Sequence, residues 1–198
     1  VEDKYNISSK NVIFLRNQDK VISDNFTELK DNKNYIYSAE NFRYFLDKKI
    51  FRGKNLYILT KEEDKYYFKD GMLNLVSKEI AGKDVISYFS KEFSNPENEP
   101  RLKGNIGFSN ENETLIKKGA FTSCKSRGDK CPPWVIEAQE IKHDKSKKTI
   151  YYKNAWLKVY NIPVLYYPRF FHPDPTVERQ SGFLKPSFSD SQNLGSSF

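Results

Sequence analysis

Two cysteines, two histidines and one proline-flanked aspartate are the first places to look for chemistry in this sequence. Cys124 and Cys131 lie seven positions apart, with Gly128 between them and Pro132 and Pro133 just after, so a small local disulfide is geometrically open to them. A zinc site is not expected, because two cysteines and a distant His143 lack the spacing of zinc ligands. His172 and Asp174 flank Pro173, and groups at i and i+2 across a proline are expected to point apart. No serine or cysteine nucleophile sits beside them, so they read as part of a stiffened segment and not as a catalytic pair. The nine glycines are scattered singly and form no phosphate cradle. Lys65-Tyr66-Tyr67-Phe68-Lys69 has the basic and aromatic character of a single-strand nucleic-acid platform. Glu62, Glu63, Asp64 and Asp70 interrupt its charge, so the run reads as a solvated hairpin tip. Neither a nucleic-acid partner, a metal, a cofactor nor an enzymatic activity is expected.

The elements that must position these groups are strands. The chain has 198 residues and a formal net charge of +7. Aromatics make up 15 % of it and there are five alanines, a balance that disfavours both disorder and a helical bundle. No apolar run approaches the ~20 residues of a membrane-spanning helix. Val1 is not an initiator methionine and no signal peptide is visible, so the start is expected to be processed or trimmed. Charged or Asn-rich turns alternate with short β-branched and aromatic runs. Ile50-Phe51 precedes Arg52-Gly53-Lys54-Asn55, Tyr66-Tyr67-Phe68 precedes Lys69-Asp70-Gly71, and Thr114-Leu115-Ile116 precedes Lys117-Lys118-Gly119. This reads as a meander of short antiparallel hairpins.

Residues 39–55 and 138–154 echo one another: Phe42 matches Ile141, Tyr44 matches His143 and Lys54 matches Lys153. Each is expected to be one hairpin of a repetitive stack. Period-two alternation is visible but imperfect, as in Leu73 and Leu75 around Asn74. Ser94 to Asn105, with Pro96, Pro100 and several charges, reads as a surface loop. A second break surrounds Cys124 to Pro133, and the Ser-rich stretch from Ser181 changes character again.

Residues 117–195 carry a set of short motifs in fixed order. They are Lys118-Gly119-Ala120-Phe121-Thr122-Ser123-Cys124, Pro133-Trp134, Ile141-Lys142-His143-Asp144, Tyr151-Tyr152-Lys153-Asn154-Ala155 and Ile162-Pro163-Val164-Leu165-Tyr166-Tyr167-Pro168. His172-Pro173-Asp174-Pro175-Thr176-Val177, Arg179, Ser181-Gly182-Phe183-Leu184 and Pro186 complete the set. In order and spacing this stretch resembles the LptD (OstA/Imp) family of lipopolysaccharide-assembly outer-membrane proteins, at the junction of periplasmic domain and barrel. The resemblance implies an all-β fold: an OstA-like jelly roll of two splayed antiparallel sheets over 1–180, then a linker and the first strand of a truncated outer-membrane barrel over 181–198. It places this segment at the outer membrane, facing the periplasm.

The implied partners are lipopolysaccharide, an LptA-like bridge protein meeting an edge strand, and an LptE-like plug lipoprotein that would need the barrel. In the family the cysteine matched by Cys124 pairs with one far along the barrel, so Cys131 leaves the pairing open. Acyl chains need a continuous dry surface with a cationic margin. Phe42, Tyr44, Leu56, Ile58, Leu73, Leu75, Ile136, Ala138, Leu157 and Val159 are the expected inward set. Val12, Ile13 and Phe14, within Asn11 to Leu15, are the expected partner edge, where β-augmentation could add a strand. The rival expectation is a structural bridge with a closed core that docks to other jelly rolls without holding lipid.

Overall fold

The computed structural model describes residues 5–31, 34–61, 63–89, 98–125 and 132–177, with the short stretches 189–191 and 195–197. Four short strands come first: β1 (Tyr5–Ser9), β2 (Ile13–Leu15), β3 (Lys20–Ser23) and β4 (Thr27–Asp31), with a 3-10 turn at Arg16–Gln18. Nine long ones follow: β5 (Ile36–Phe45), β6 (Ile50–Leu59), β7 (Lys65–Asn74), β8 (Ile80–Tyr88), β9 (Asn98–Ser109), β10 (Glu113–Cys124), β11 (Trp134–Asp144), β12 (Thr149–Val159) and β13 (Ile162–Pro173). All thirteen belong to one antiparallel sheet in which β5 to β13 pair in chain order, so the expected all-β meander holds. Residues 39–55 and 138–154 are the β5–β6 and β11–β12 hairpins.

One constraint shapes this sheet. From β6 to β13 every ladder skips a pair at the same level: Asn55, Lys69, Asp84, Asn105, Lys118, Gln139, Asn154 and Pro168 stand in a row without bridging partners. On every second strand the row residue is left-handed, with φ of 49° at Asn55, 50° at Asp84, 48° at Lys118 and 52° at Asn154. Left-handed backbone in a strand turns the chain there, and because the register is the same on both sides of the row the result is a bend without an inserted residue. The bends line up, and the sheet is creased along them.

At the crease the alternation of side chains slips by one, so inward residues fall at i and i+3 with two outward residues between. Ala39 and Phe42 form such a pair, as do Gly53 and Leu56, Phe68 and Gly71, Gly82 and Val85, Ile116 and Gly119, Ala138 and Ile141, and Tyr152 and Ala155. One member of each is Gly or Ala because the layers close there too tightly for two large side chains. A Cβ on Gly53 would stand 2.5 Å from the Ala39 Cβ. One on Gly104 would overlap Ile116 and stand 3.0 Å from the Lys117 carbonyl oxygen.

Each long strand therefore runs through two facing layers. Its first and second halves lie on opposite sides of one apolar core, in which Phe42, Phe51, Leu56, Ile58, Leu102, Ile116, Ile141 and Ile150 are essentially inaccessible. Along the rim away from the crease the layers touch through side chains. Lys78 of one pairs with the buried Asp31 of the other at 3.5 Å. The Lys145 ammonium lies 5.8 Å from the Tyr66 ring centroid, and Phe121 meets His172 at 4.9 Å between centroids.

Three expectations are corrected. The two layers are halves of one continuous sheet, not separate sheets. Arg52 to Asn55, Lys69 to Gly71 and Lys117 to Gly119 do not close short strands; they lie inside β6, β7 and β10, where the same polar and glycine residues serve a bend within the strand instead of a reversal. The expected loop from Ser94 to Asn105 is strand from Asn98 onward. Pro100 is tolerated because it lies just past the end of β8, where its carbonyl accepts from the Phe89 N–H at 3.2 Å. Arg101, though buried, donates to the Glu99 and Cys124 carbonyls at 3.1 and 2.5 Å. Of the expected barrel strand within 181–198, residues 189–191 and 195–197 pair as a two-stranded ladder of their own, and the rest lies outside the described residues.

Gly104→Ala should destabilise the protein by about 1–3 kcal/mol through overpacking at the crease. The outward neighbour change Lys103→Ala should stay within about 0.5 kcal/mol. Urea unfolding midpoints of the two variants test this, and equal midpoints would remove the packing account of the crease.

Candidate functional site

The inward set is brought together as the alternation implied. Phe42, Leu56, Ile58, Leu73, Leu75, Ile136 and Ala138 are all buried in the single core. Tyr44 and Leu157 are half-buried against it. Val159 is the exception at 37 % exposed, because it ends β12 at the rim, opposite Ile162. The lining is thus continuous from β5 to β12, and it is filled by its own side chains.

The interior is partly uncovered at β13, the last strand of the sheet. Leu165, paired with Leu157, is 49 % exposed, and Tyr167 and Phe170 are half-buried against the core. The outer face there carries Trp156 tilted against Tyr166, with 5.0 Å between ring centroids. A shallow outer groove of about 580 Å³ runs beside the crease from Asp84 to Trp156, and of the expected lining only Ala138 borders it. At the opposite end of the sheet, β2 pairs only with β3, so Ile13 and Phe14 do lie on an edge strand with Val12 just before it. All three are about half exposed.

The rim between β8 and β13 carries a polar cluster that sequence reasoning missed. His143 and Asp174 are both buried, and Nε2 of the first stands 2.5 Å from Oδ2 of the second with no other polar partner among the described residues. Asp174 therefore meets His143 and not its near neighbour His172. The His172 Nδ1 lies 2.6 Å from the Pro173 carbonyl oxygen, which can only accept, so this nitrogen carries the proton. In the neutral ring Nε2 then accepts from the Tyr152 hydroxyl at 2.7 Å. The signal was available in the pattern: His143 and His172 each sit two positions beyond an inward crease residue, Ile141 and Phe170.

Charge in this cluster is set by burial and contact. Burial works to raise the Asp174 carboxyl, but the His143 contact and the Thr176 N–H outweigh it and hold it below the usual aspartate value. Burial depresses His172, more than the Pro173 carbonyl and Asp174 restore. Burial likewise lifts the hydroxyls of Tyr152 and Tyr66 above their ordinary range. Cys124 at the end of β10 is half-buried and has no disulfide partner among the described residues, and Cys131 lies outside them.

Both depressed groups make stability depend on pH in one direction, because the unfolded chain takes up the proton first. Their contribution is complete above the ordinary values of 6.5 for His172 and 3.8 for Asp174, and is lost as pH falls through the lower folded values. The thermal midpoint should therefore fall from pH 7 towards pH 4, and His172→Phe should flatten the upper part of that slope. Circular dichroism melts across this range provide the check.

No family model matches the chain. It is 40 % identical over 90 residues, 46 % of its length, to LPS-assembly protein LptD of Shewanella frigidimarina. Over 168 residues, 85 % of its length, it is 28 % identical to LPS-assembly protein LptD of Nitrosospira multiformis. Over 85 residues, 43 % of its length, it is 35 % identical to that of Yersinia pestis. These matches cover 11 %, 17 % and 10 % of the relatives, so the chain spans only a small part of the length of the curated relatives it matches. The resemblance carried by residues 117–195 is thereby borne out: the chain is similar to one segment of LPS-assembly protein LptD, as a fragment of such a protein would be.

Proposed function

We propose that this chain is the periplasm-facing, jelly-roll-like module of an outer-membrane lipopolysaccharide-assembly protein. Its two layers guide acyl chains towards a barrel, without covalent change to the lipid. The observation that carries this reading is the apolar lining that runs unbroken from β5 to β12 and becomes accessible at β13. A lipid tail needs a continuous apolar path, and its anionic head needs cations at the margin. Lys78 and Lys145 lie on the rim, and the chain as a whole carries +7. The relatives are named for the assembly of lipopolysaccharide, which supports the same ligand and an outer-membrane setting.

The edge at β2 suits an LptA-like bridge protein that adds a strand. An LptE-like plug would engage the barrel and not these strands. Cys124 would pair either with Cys131 or with a distant cysteine of a barrel.

A second reading has its own support. The lining is closed: Phe42, Leu56, Ile58 and Leu73 are at most 1 % exposed. A docking module that bridges neighbouring jelly rolls and never holds lipid would look the same. Lipid passage requires the layers to part along the rim, where side-chain contacts and not backbone ladders hold them.

Photo-crosslinking residues at Leu75 and Leu157, compared with the outward positions Asn74 and Lys158, separate the two readings. Transport predicts capture of lipopolysaccharide from the inward pair. Capture from the outward positions alone, or from none of the four in cells that still assemble lipopolysaccharide, would establish the docking module instead.

A further inference from the structure

The inward face of the crease answers to packing, but its outward face carries a pattern that packing does not require. Directly paired residues there alternate in charge. Glu40, Lys54, Asp70 and Lys83 stand side by side from β5 to β8, and Lys117, Glu140 and Lys153 from β10 to β12. Opposite charges facing each other across strands stabilise a sheet, and Lys117 and Glu140 form an ion pair. The alternation fails on β9. Where an acidic residue would continue it, Ile106 stands between Lys83 and Lys117, 54 % exposed.

The outer groove of about 580 Å³ adjoins this gap and crosses β8 to β12. At the usual spacing of about 4.8 Å between strands it is roughly 20 Å long. Its floor is Gly104, Gly119 and Ala120. The two glycines serve the inner packing, but Ala120 faces outward between Lys103 and Glu137, where a strand favours a larger residue. At the β12 end Trp156 is 45 % exposed beside a chain of oriented groups. The Tyr166 hydroxyl donates to Asn154 Oδ1 at 3.0 Å, and Asn154 Nδ2 donates to Gln139 Oε1 at 2.7 Å. Both amides line the groove, and their remaining N–H groups are left to donate outward. The acids of the groove are already paired, Glu137 with Lys158 at 2.6 Å and Asp84 with Lys69 at 3.9 Å. Lys83, Lys103 and Lys118 are exposed and have no acidic partner among the described residues.

We propose that this groove binds an acidic oligosaccharide. A sugar ring has an apolar face that packs on the Trp156 indole and hydroxyls that pair with the Asn154 and Gln139 amides. A carboxylate or phosphate further along the glycan meets Lys103 and Lys118, which lack a counter-charge of their own. A peptide strand is poorly suited to the place. Strands β8 to β12 are each paired on both sides, so no edge is open here and recognition falls to side chains. The groove lies at the crease, across the fold from the rim where the head of a lipid held between the layers would sit. The site is therefore separate from the lipid path and does not rest on it.

The test is an NMR shift titration of the full chain with four probes. Two are acidic sugars: a phosphorylated lipopolysaccharide core oligosaccharide freed of its lipid, and the N-acetylglucosamine–N-acetylmuramic acid disaccharide. The others are uncharged maltotetraose and the acidic peptide hexaglutamate. At least one acidic sugar should give saturable shifts at the Trp156 indole N–H and over 103–105 and 118–120. The tighter of the two tells whether phosphate or carboxylate is read. Maltotetraose and hexaglutamate should bind at least about tenfold more weakly, each lacking one half of the recognition. Lys103→Gln with Lys118→Gln, both exposed, should cost about tenfold or more in affinity, and the surface control Lys147→Gln should cost nothing. Trp156→Ala should weaken binding further, and if it also unfolds the chain the lysine variant decides alone. The site is overturned if neither acidic sugar saturates, if maltotetraose or hexaglutamate binds as tightly, or if the lysine variant binds like the parent.

Discussion

The close approach of two β layers at a shared crease is the constraint on which the rest of this molecule depends. Where a strand bends that sharply, its inward residues fall three apart and the space between layers admits one large side chain and one small one. Gly53 beneath Ala39, Gly104 beneath Ile116 and Gly119 beneath Ile116 and Ile141 show how little room is left. The large member changes sides along the sheet. Leu56, Phe68 and Val85 fill one layer over glycines of the other, and beyond β9 Ile116, Ile141 and Tyr152 fill the opposite layer over Gly119, Ala138 and Ala155. The complementarity keeps the packing dense while every strand contributes to both walls.

This geometry divides the labour between the two long sides of the fold. The crease side is continuous backbone, with ladders on both sides of the skipped row, and does not open without breaking the sheet. The rim side is held by side chains: the Lys78–Asp31 ion pair, Lys145 over the Tyr66 ring, and Phe89 and Phe121 against the rings of His143 and His172. A hinge on one side and a row of separable contacts on the other is what a two-layer path for an apolar chain would require. It is equally what gives a closed docking module its shape, and the difference lies in how often the rim opens.

Much of the fold was legible before any coordinates, and the misreadings share a cause. Alternation marked Leu56, Ile58, Leu73 and Leu75 as inward, and they are. The Lys-Asn, Lys-Asp and Lys-Gly steps inside β6, β7 and β10 read as chain reversals because a turn and a bend within a strand draw on the same residues: those that accept left-handed backbone and face water. Pro100 and its charged neighbours suggested a loop, since nothing in the local sequence shows that the β8 ladder ends just before the proline or that Arg101 finds carbonyls to bond. The rim cluster was hidden for a different reason. His143 and Asp174 are 31 positions apart and meet only because a single strand, β12, separates β11 from the end of β13 in the sheet.

Sequence by itself determined the class of structure and its kinship: strand propensity, period-two patterning and the ordered motifs of residues 117–195 are local quantities, written into short stretches of chain. Only the tertiary structure decided that the two walls are halves of the same strands, that the lining is closed, and that a histidine of β11 rather than its own neighbour holds Asp174. Those outcomes depend on register across many strands. Register is set by the summed packing of inward side chains at the crease, which no single segment contains.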